Sequence, residues 1–599
     1  MRSWRNGALV SLFVASTLGP AALAQTPSDA AHIRAMEQNI APAVMLAGVS
    51  RSPGSLSERM AFYNTPGVSV AYIHDGRIAW TRTYGLAASG VPVTVDTRFQ
   101  AASISKPVTA LAVLHLVQAG KLDLDADVNQ YLKSWKVPRA EDGKVITLRE
   151  LLSHTAGLTV HGFAGYAQGQ PVPTLVQVLN GEKPANSPAI VRFAAPGTEW
   201  RYSGGGYVIV QQLLQDVTGQ AFPDLMQSLV LGPIGMTHST YRQPLPEAFK
   251  KDAATPYGPG GQPVPGGAHT YPEMAPAGLW TTPSDLALYA IEVQNALAGK
   301  SSRVINQAMA REMLKAGLGG WGLGLDLDTL SGQALFHHDG ANEGFRSSLL
   351  AFDSGDGLVV MTNSDNGGEV MGEILRTIAV EYHWPSELGP LIRTRAVEAP
   401  KNLARYLGGY QVTRFSQMAV SRQGDALVLQ LPGAPPEQFL PESDRAWFSM
   451  ASNRELAFDV GPDGQVSGMA IKQGRAAQHF KHLSDAEVSA LRDELAARVK
   501  AQVAENGSEA AVRELIAGLR DGHPNYDHFA ERQAEATRAQ LPDFQGDIRP
   551  LGDLQSLTFK GVGPQGGDIY EATFANGKRE FRMLLDQQGR IDAFGIRAG

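Results

Sequence analysis

Between Pro385 and Pro400 the chain carries three prolines and no apolar period, and the hydrophobic pattern differs on either side of the break. This feature decides the architecture, because it divides a 599-residue chain that is too long for a single core. Upstream, strand-like and helix-like periods alternate. Gly67–Ile73 (GVSVAYI) and Arg77–Tyr84 (RIAWTRTY) flank His74-Asp75-Gly76, which predicts a β-hairpin on an Asp-Gly turn. Val108–Val117 is apolar on nearly every side and Gly120 stops it, which predicts a helix inside a core. Gly357–Thr362 (GLVVMT) reads as a buried strand. Mixed elements of this kind suit a sheet covered by helices. Downstream, Leu403 to Leu483 holds short strand-like runs such as Ala426–Leu431 and Leu456–Val460, with Asp463-Gly464 as a turn, and predicts a small barrel-like all-β domain. From Ser484 the period becomes helical, with Glu487 placed to complete a capping box. Strands return from Leu554 to Ile596, with turns at Asn576-Gly577 and Gln588-Gly589. The expected division is a mixed α/β domain over 31–384, a linker over 385–402, an all-β domain over 403–483 and an α+β domain over 484–599.

The first 24 residues read as a signal peptide. Arg2 and Arg5 precede the apolar stretch Ala8–Leu18, and Ala22-Leu23-Ala24 offers a small-x-small cleavage site before Gln25. That stretch is too short to span a bilayer and ends at Gly19-Pro20, and no later segment reaches about 18 uninterrupted apolar residues. The expectation is therefore export to a bacterial periplasm, with no membrane span in the mature chain. Cysteine is absent, which excludes disulfides and thiol catalysis. The net charge of −7 is spread without a dominant block, which argues against a nucleic-acid partner. The sequence leaves the oligomeric state open.

Three segments carry chemistry. The S-x-x-K run Ser103-Ile104-Ser105-Lys106 opens the buried helix. Positions i and i+3 share a helical face, so the Ser103 hydroxyl and the Lys106 amine can meet. A serine hydroxyl becomes a good nucleophile only when a base takes its proton, and a helix N-terminus favours the negative charge that develops. A plain serine cap with an exposed lysine is the alternative. The second segment, Tyr202-Ser203-Gly204-Gly205-Gly206-Tyr207, places a tyrosine at a glycine-flexed turn. Beside a lysine cation its phenol is expected to ionise more easily than usual and to serve as the base for Ser103; packing glycines are the alternative. The third is Phe336-His337-His338-Asp339-Gly340, where Gly340 lets a substrate approach the backbone. The paired histidines do not predict a metal, because neighbouring residues on a strand face opposite ways, and no cofactor is expected. Gly317, Gly319 and Gly322 match G-x-G-x-x-G without a strand-turn-helix context and carry no nucleotide reading.

Taken in order, these segments resemble the class C β-lactamases and their penicillin-binding relatives, which include D-alanyl-D-alanine carboxypeptidases, D-aminopeptidases and esterases. Further landmarks are Leu151–Leu158 (LLSHTAGL), Pro196-Gly197, Pro233–Met236 (PIGM) and Ala277–Asp285 (AGLWTTPSD). The resemblance covers about Thr65 to Asn363. It implies a β-lactamase/transpeptidase-like fold, with a mostly antiparallel sheet flanked by helices. It implies that Ser103 is acylated, that Lys106 and Tyr202 handle its proton, and that the backbone N–H groups of Ser103 and Ala341 form the oxyanion hole. His338 and Gly340 would contact a small amide, ester or peptide substrate. Two departures, Gly204 where relatives often carry Asn and His338 where many β-lactamases carry Lys, lower the expectation of β-lactamase activity. A non-catalytic wall-binding or penicillin-binding protein is the remaining alternative. The region from Tyr406-Leu407-Gly408-Gly409-Tyr410 onward resembles the lipocalin-like domain that follows such catalytic domains.

Overall fold

The computed structural model describes residues 27–48, 54–396, 402–432, 436–473 and 476–598. The expected signal peptide lies outside the described residues. The α/β domain is built on a seven-stranded antiparallel sheet. Its strands are β1 (Gly67–His74), β2 (Arg77–Ala88), β3 (Val91–Pro92), β4 (Asp326–Leu330), β5 (Gln333–Asn342), β6 (Phe345–Phe352) and β7 (Gly357–Thr362), in the order β3-β2-β1-β7-β6-β5-β4. The β1–β2 turn has the predicted geometry, with Asp75 at φ +51° and Gly76 at φ +67°. Because side chains alternate along a strand, each face of the sheet builds its own core.

One face packs against α1 (Ser105–Gln118), α2 (Gly204–Thr218) and α4 (Pro283–Leu297), preceded by the single turn α3 (Met274–Ala277). Helix α1 is buried from Ser105 through Leu114, as its unbroken apolar run requires. The other face is covered by α5 (Gly367–Glu381) and by the N-terminal helices Pro27–Gln38 and Leu56–Phe62.

The expected linker is more structured than its prolines suggest. Leu391–Arg393 pairs in parallel with Val44–Leu46, and Arg393 forms ion pairs with Glu442 and Glu455 of the next domain. That domain is a closed barrel of eight antiparallel strands, from β8 (Gly408–Thr413) to β15 (Ala476–Leu483), each bonded to its sequence neighbour. Tyr410, Met418, Leu427, Phe439, Trp447, Leu456 and Met469 form its core. In the last domain α6 (Asp485–Ala501) buries no residue, while α7 (Ser508–Asp521) and α8 (Glu531–Ile548) share a core with a four-stranded meander, β16 (Leu554–Val562) to β19 (Ile591–Ala598). Ser484 and Glu487 form the predicted capping box. No helix among the described residues is long and apolar enough to cross a membrane.

Candidate active site

Ser103 lies in a 3-10 turn, Ala102–Ile104, that feeds directly into α1. Ala102 is held at φ +50°, which is unusual for a residue with a Cβ and tips Ser103 out of the helix axis. The turn is pinned on several sides. Ala101 N donates to Leu279 O at 2.8 Å, Ser347 Oγ donates to Ala101 O at 2.8 Å, and Ser105 Oγ donates to Ala102 O at 2.5 Å. One helical turn on, Lys106 Nζ donates to Ser103 Oγ at 2.9 Å and to the Pro276 carbonyl of α3 at 3.0 Å.

Tyr202 precedes the cap of α2, where Ser203 Oγ accepts from Gly206 N at 3.0 Å. Its ring lines the same pocket as Ser103, and Lys106 Nζ lies 4.8 Å from its ring centroid. His154, from the LLSHTAGL landmark, stacks 4.3 Å from Tyr202, and its Nδ1 accepts from Ser203 N at 3.1 Å. The first two segments and the LLSHTAGL landmark thus come together beside Ser103.

Burial sets the protonation states. Lys106 is 2% exposed, and burial alone pulls its amine down to about 7. Burial pushes the Tyr202 phenol up, against the smaller lowering effect of the nearby Ser103 side chain. This corrects the expectation that a lysine cation eases its ionisation. Desolvation is the dominant influence on the phenol, and at neutral pH the proton stays on the tyrosine. Burial also takes His338 down to about 3, so its ring is neutral. Its Nδ1 lies 2.6 Å from the Asp339 carbonyl, which requires the proton on Nδ1 and leaves the buried Nε2 bare.

The strand β5 brings the third segment in. A Cβ at Gly340 would overlap the Ala101 carbonyl oxygen and Ser347 Oγ, so only glycine allows β5 to lie against the Ser103 turn. The two-residue turn Ser331-Gly332 closes on the pair Leu330–Gln333, and in an antiparallel ladder alternate residues then bond to the same neighbour. Gln333, Leu335 and His337 therefore face β4, which ends at the pair Asp326–His337. Asp339 and Ala341 continue that edge with no strand beside them, so the Ala341 N–H points into open space next to Ser103. His337 and His338 do face opposite ways: His338 is buried in the site, while His337 pairs with Asp326 at 3.5 Å. Among the described residues, three metal-ligating side chains come together at His74, Asp75 and Asp356, on turns at the far end of the sheet.

The resulting pocket measures about 690 Å³ and contains Ser103, Tyr202, His338, Gly340 and Ala341. Several of its walls were not foreseen. Gly204 packs so tightly against the His161 carbonyl and the Phe163 ring, each 3.0 Å from where a Cβ would sit, that these groups occupy the room for a larger side chain. Trp321 stands 5.6 Å from His338 and 5.4 Å from Trp200, ring to ring. The glycine run at 317–322 shapes the loop that presents it, and a Cβ on Gly319 would overlap Trp200. Arg346 completes the wall, tied to Asp365 at 3.0 Å and to the carbonyls of Asn342 and Phe345 at 2.8 Å.

Comparison with known proteins agrees with this geometry. The Beta-lactamase family model matches residues 55–381, and a domain of unknown function (DUF3471) matches residues 393–490. Esterase EstB of Burkholderia gladioli is 34% identical over 203 residues, which cover 32% of this chain and 49% of the esterase, so the chain spans about half of that relative's length. Penicillin-binding protein 4 of Amycolatopsis lactamdurans is 28% identical over 358 residues, 56% of this chain and 91% of that protein. The octameric penicillin-binding protein homologue from Pyrococcus abyssi shares the fold, with a TM-score of 0.51 and 21% identity over 71% of this chain and 98% of that one. With more than half its length matched by the family model, the chain belongs to the Beta-lactamase family of serine hydrolases.

Proposed function

We propose that this protein is an exported hydrolase that cleaves a small ester or D-amino-acid amide through an acyl-enzyme on Ser103. The observation that carries the reading is the 2.9 Å contact between Ser103 Oγ and a buried Lys106 whose amine titrates near 7. A base with that value is half neutral at physiological pH and strong enough to take a serine proton in the transition state.

In the proposed sequence Lys106 Nζ accepts the Ser103 proton as Oγ bonds to the substrate carbonyl carbon. The oxygen of that carbonyl gains the charge and is met by the N–H groups of Ser103 and Ala341, each donor being typically worth about 3–4 kcal/mol. The bond to the leaving group then breaks, and that group takes the Tyr202 phenol proton. Lys106 returns its proton to Tyr202, restoring both groups. Water repeats the cycle on the acyl-enzyme, giving its proton to the base, and Ser103 leaves as the hydroxyl.

The neutral His338 favours esters and uncharged amides over β-lactams, whose carboxylate needs a cation at that strand. Aromatic walls at Trp200, Trp321 and Phe163 suit an apolar acyl group. Export is proposed from Arg2, Arg5 and the Ala22-Leu23-Ala24 site. The test is a fluorophosphonate label on wild type and Ser103→Ala, followed by kcat/KM for nitrophenyl butyrate, D-alanine nitroanilide and nitrocefin. Labelling that persists in Ser103→Ala overturns the nucleophile assignment, and nitrocefin as the best substrate by a wide margin overturns the preference.

A further inference from the structure

The segment Leu151–Leu158 enters the proposed chemistry only as a landmark, yet its histidine holds Tyr202 in three ways. The His154 carbonyl accepts at 2.8 Å from the N–H of Arg201, the residue before Tyr202. His154 Nδ1 accepts at 3.1 Å from the N–H of Ser203, the residue after it. Between these two bonds the imidazole lies against the phenol ring, with centroids 4.3 Å apart and planes inclined by 33°. One residue thus fixes the chain on either side of Tyr202 and also the face of its ring.

The arrangement needs a neutral histidine. His154 sits at φ +59°, a left-handed backbone that few residues with a Cβ adopt and that histidine, asparagine and aspartate accept more readily than the rest. An Nδ1 that accepts from a backbone N–H carries no proton, so the ring proton is on Nε2. Protonating Nδ1 would set two donors against each other and break the bond to Ser203. His154 is 2% exposed, and burial first, then Lys106, His338 and His161, holds its pKa well below the usual imidazole value. Nε2 has no hydrogen-bond partner among the described residues, so Nδ1 alone orients the ring by hydrogen bonding. Tyr202, Trp321 and His338 line the pocket and His154 stands behind them, with its ring edge-on to Trp321 at 5.2 Å. From that place it acts on a substrate only through the residues in front of it.

We infer that His154 is a positioning residue, which as a neutral imidazole holds the Tyr202 hydroxyl where the leaving group takes its proton. The inference rests on the hydrolytic reading above, in which Tyr202 is that donor. Nitrophenol leaves as an anion and needs little help, whereas ethanol leaves only with a proton. The readout is therefore kcat/KM for 4-nitrophenyl butyrate divided by kcat/KM for ethyl butyrate, within one preparation, so that the folded fraction cancels. His154→Gly suits the left-handed backbone and removes both acceptor and ring. It should raise the ratio at least about tenfold, since a misplacement near 1 Å costs about a hundredfold in a step that depends on geometry. His154→Asn offers Oδ1 close to the place of Nδ1 and should keep the ratio within about threefold of wild type. Tyr202→Phe should raise the ratio too, and adding His154→Gly to it should raise it no further, because both changes act through one proton. Should His154→Gly not fold, His154→Leu, which refills the space of the ring, takes its place.

An unchanged ratio in His154→Gly alone overturns the inference, as does a further rise of at least about tenfold in the double variant. A ratio as high in His154→Asn as in His154→Gly overturns the Nδ1 bond as the means. An unchanged ratio in Tyr202→Phe removes Tyr202 as the donor and the inference with it. Failure of the whole hydrolytic reading looks different, because wild type then turns over neither ester. In that case crystal structures of wild type and the His154 variant decide: a Tyr202 hydroxyl displaced by at least about 1 Å supports the positioning role, and one that superposes on wild type overturns it.

Discussion

Replacing Lys106 by methionine should abolish hydrolysis and stabilise the α/β domain. The shaft of the side chain is packed in the core, and its amine contacts only Ser103 Oγ, the Pro276 carbonyl and two tyrosine rings. Burial lowers the amine from 10.5 to about 7, which corresponds to about 5 kcal/mol at 1.36 kcal/mol per factor of ten. Below pH 7 both the folded and unfolded chains hold this proton, and the folded state bears the full penalty. Between about 7 and 10.5 the unfolded chain binds more protons than the folded one, so wild-type stability rises with pH until the penalty is gone. Methionine removes the penalty but orphans the Pro276 carbonyl, at a cost of about 1–3 kcal/mol. The net gain is about 2–4 kcal/mol at pH 6.5, or roughly 4–8 °C in Tm for a domain of this size. The assay is thermal unfolding of wild type and Lys106→Met across pH 6 to 10. The difference should be largest at low pH and shrink toward pH 10. A variant that melts at or below wild type at pH 6.5, or a difference that ignores pH, would refute a desolvated lysine.

The same value predicts that kcat/KM for a neutral ester climbs about tenfold per pH unit below 7 and levels off above it, with no second limb from His338, which titrates near 3; a flat profile from pH 5.5 to 7 would contradict this. Gly340→Ala should push β5 away from the Ser103 turn and lower kcat about a hundredfold, as expected for loss of an oxyanion donor; activity within twofold of wild type would show that the close approach is unimportant. Overnight dialysis against a strong chelator should leave the rate intact, and a loss reversed by zinc would bring His337 and His338 back as ligands.

Local features were legible because their causes are local. The Asp75-Gly76 turn, the apolar run that became α1, and the Ser484–Glu487 capping box follow from residues within a few positions of one another. The meeting of Ser103 and Lys106 follows from their i, i+3 spacing, whereas the approach of Tyr202 and His338 was legible only through the order of the landmarks. What stayed hidden depends on distant packing. Trp321 reaches the site through a glycine run that matches G-x-G-x-x-G without a nucleotide-binding context, and Phe163 occupies the space beside Gly204. Leu391–Arg393 reads as linker because its partner, Val44–Leu46, lies far away in the chain. The protonation states were hidden for the same reason. Neighbouring residues alone imply a cationic Lys106, whereas depth of burial is a property of the folded chain.

These states explain why the site is assembled from uncharged groups. Lys106 is half neutral, Tyr202 keeps its proton and His338 carries no charge, so the resting pocket holds little net charge around Ser103. In the proposed step the Ser103 proton moves to Lys106, so that an ammonium appears together with the substrate oxyanion. Opposite charges created close together in a water-poor site attract far more strongly than they would in solvent. That attraction is nearly absent before the proton moves, so it lowers the barrier without tightening ground-state binding. A permanently charged lysine would forfeit this difference, since it could not accept the proton and would already have drawn an anion or water to itself. In the proposed mechanism the burial that destabilises Lys106 in the folded protein is therefore the source of its reactivity, and its bond to the Pro276 carbonyl accompanies a 2.9 Å contact with the Ser103 hydroxyl.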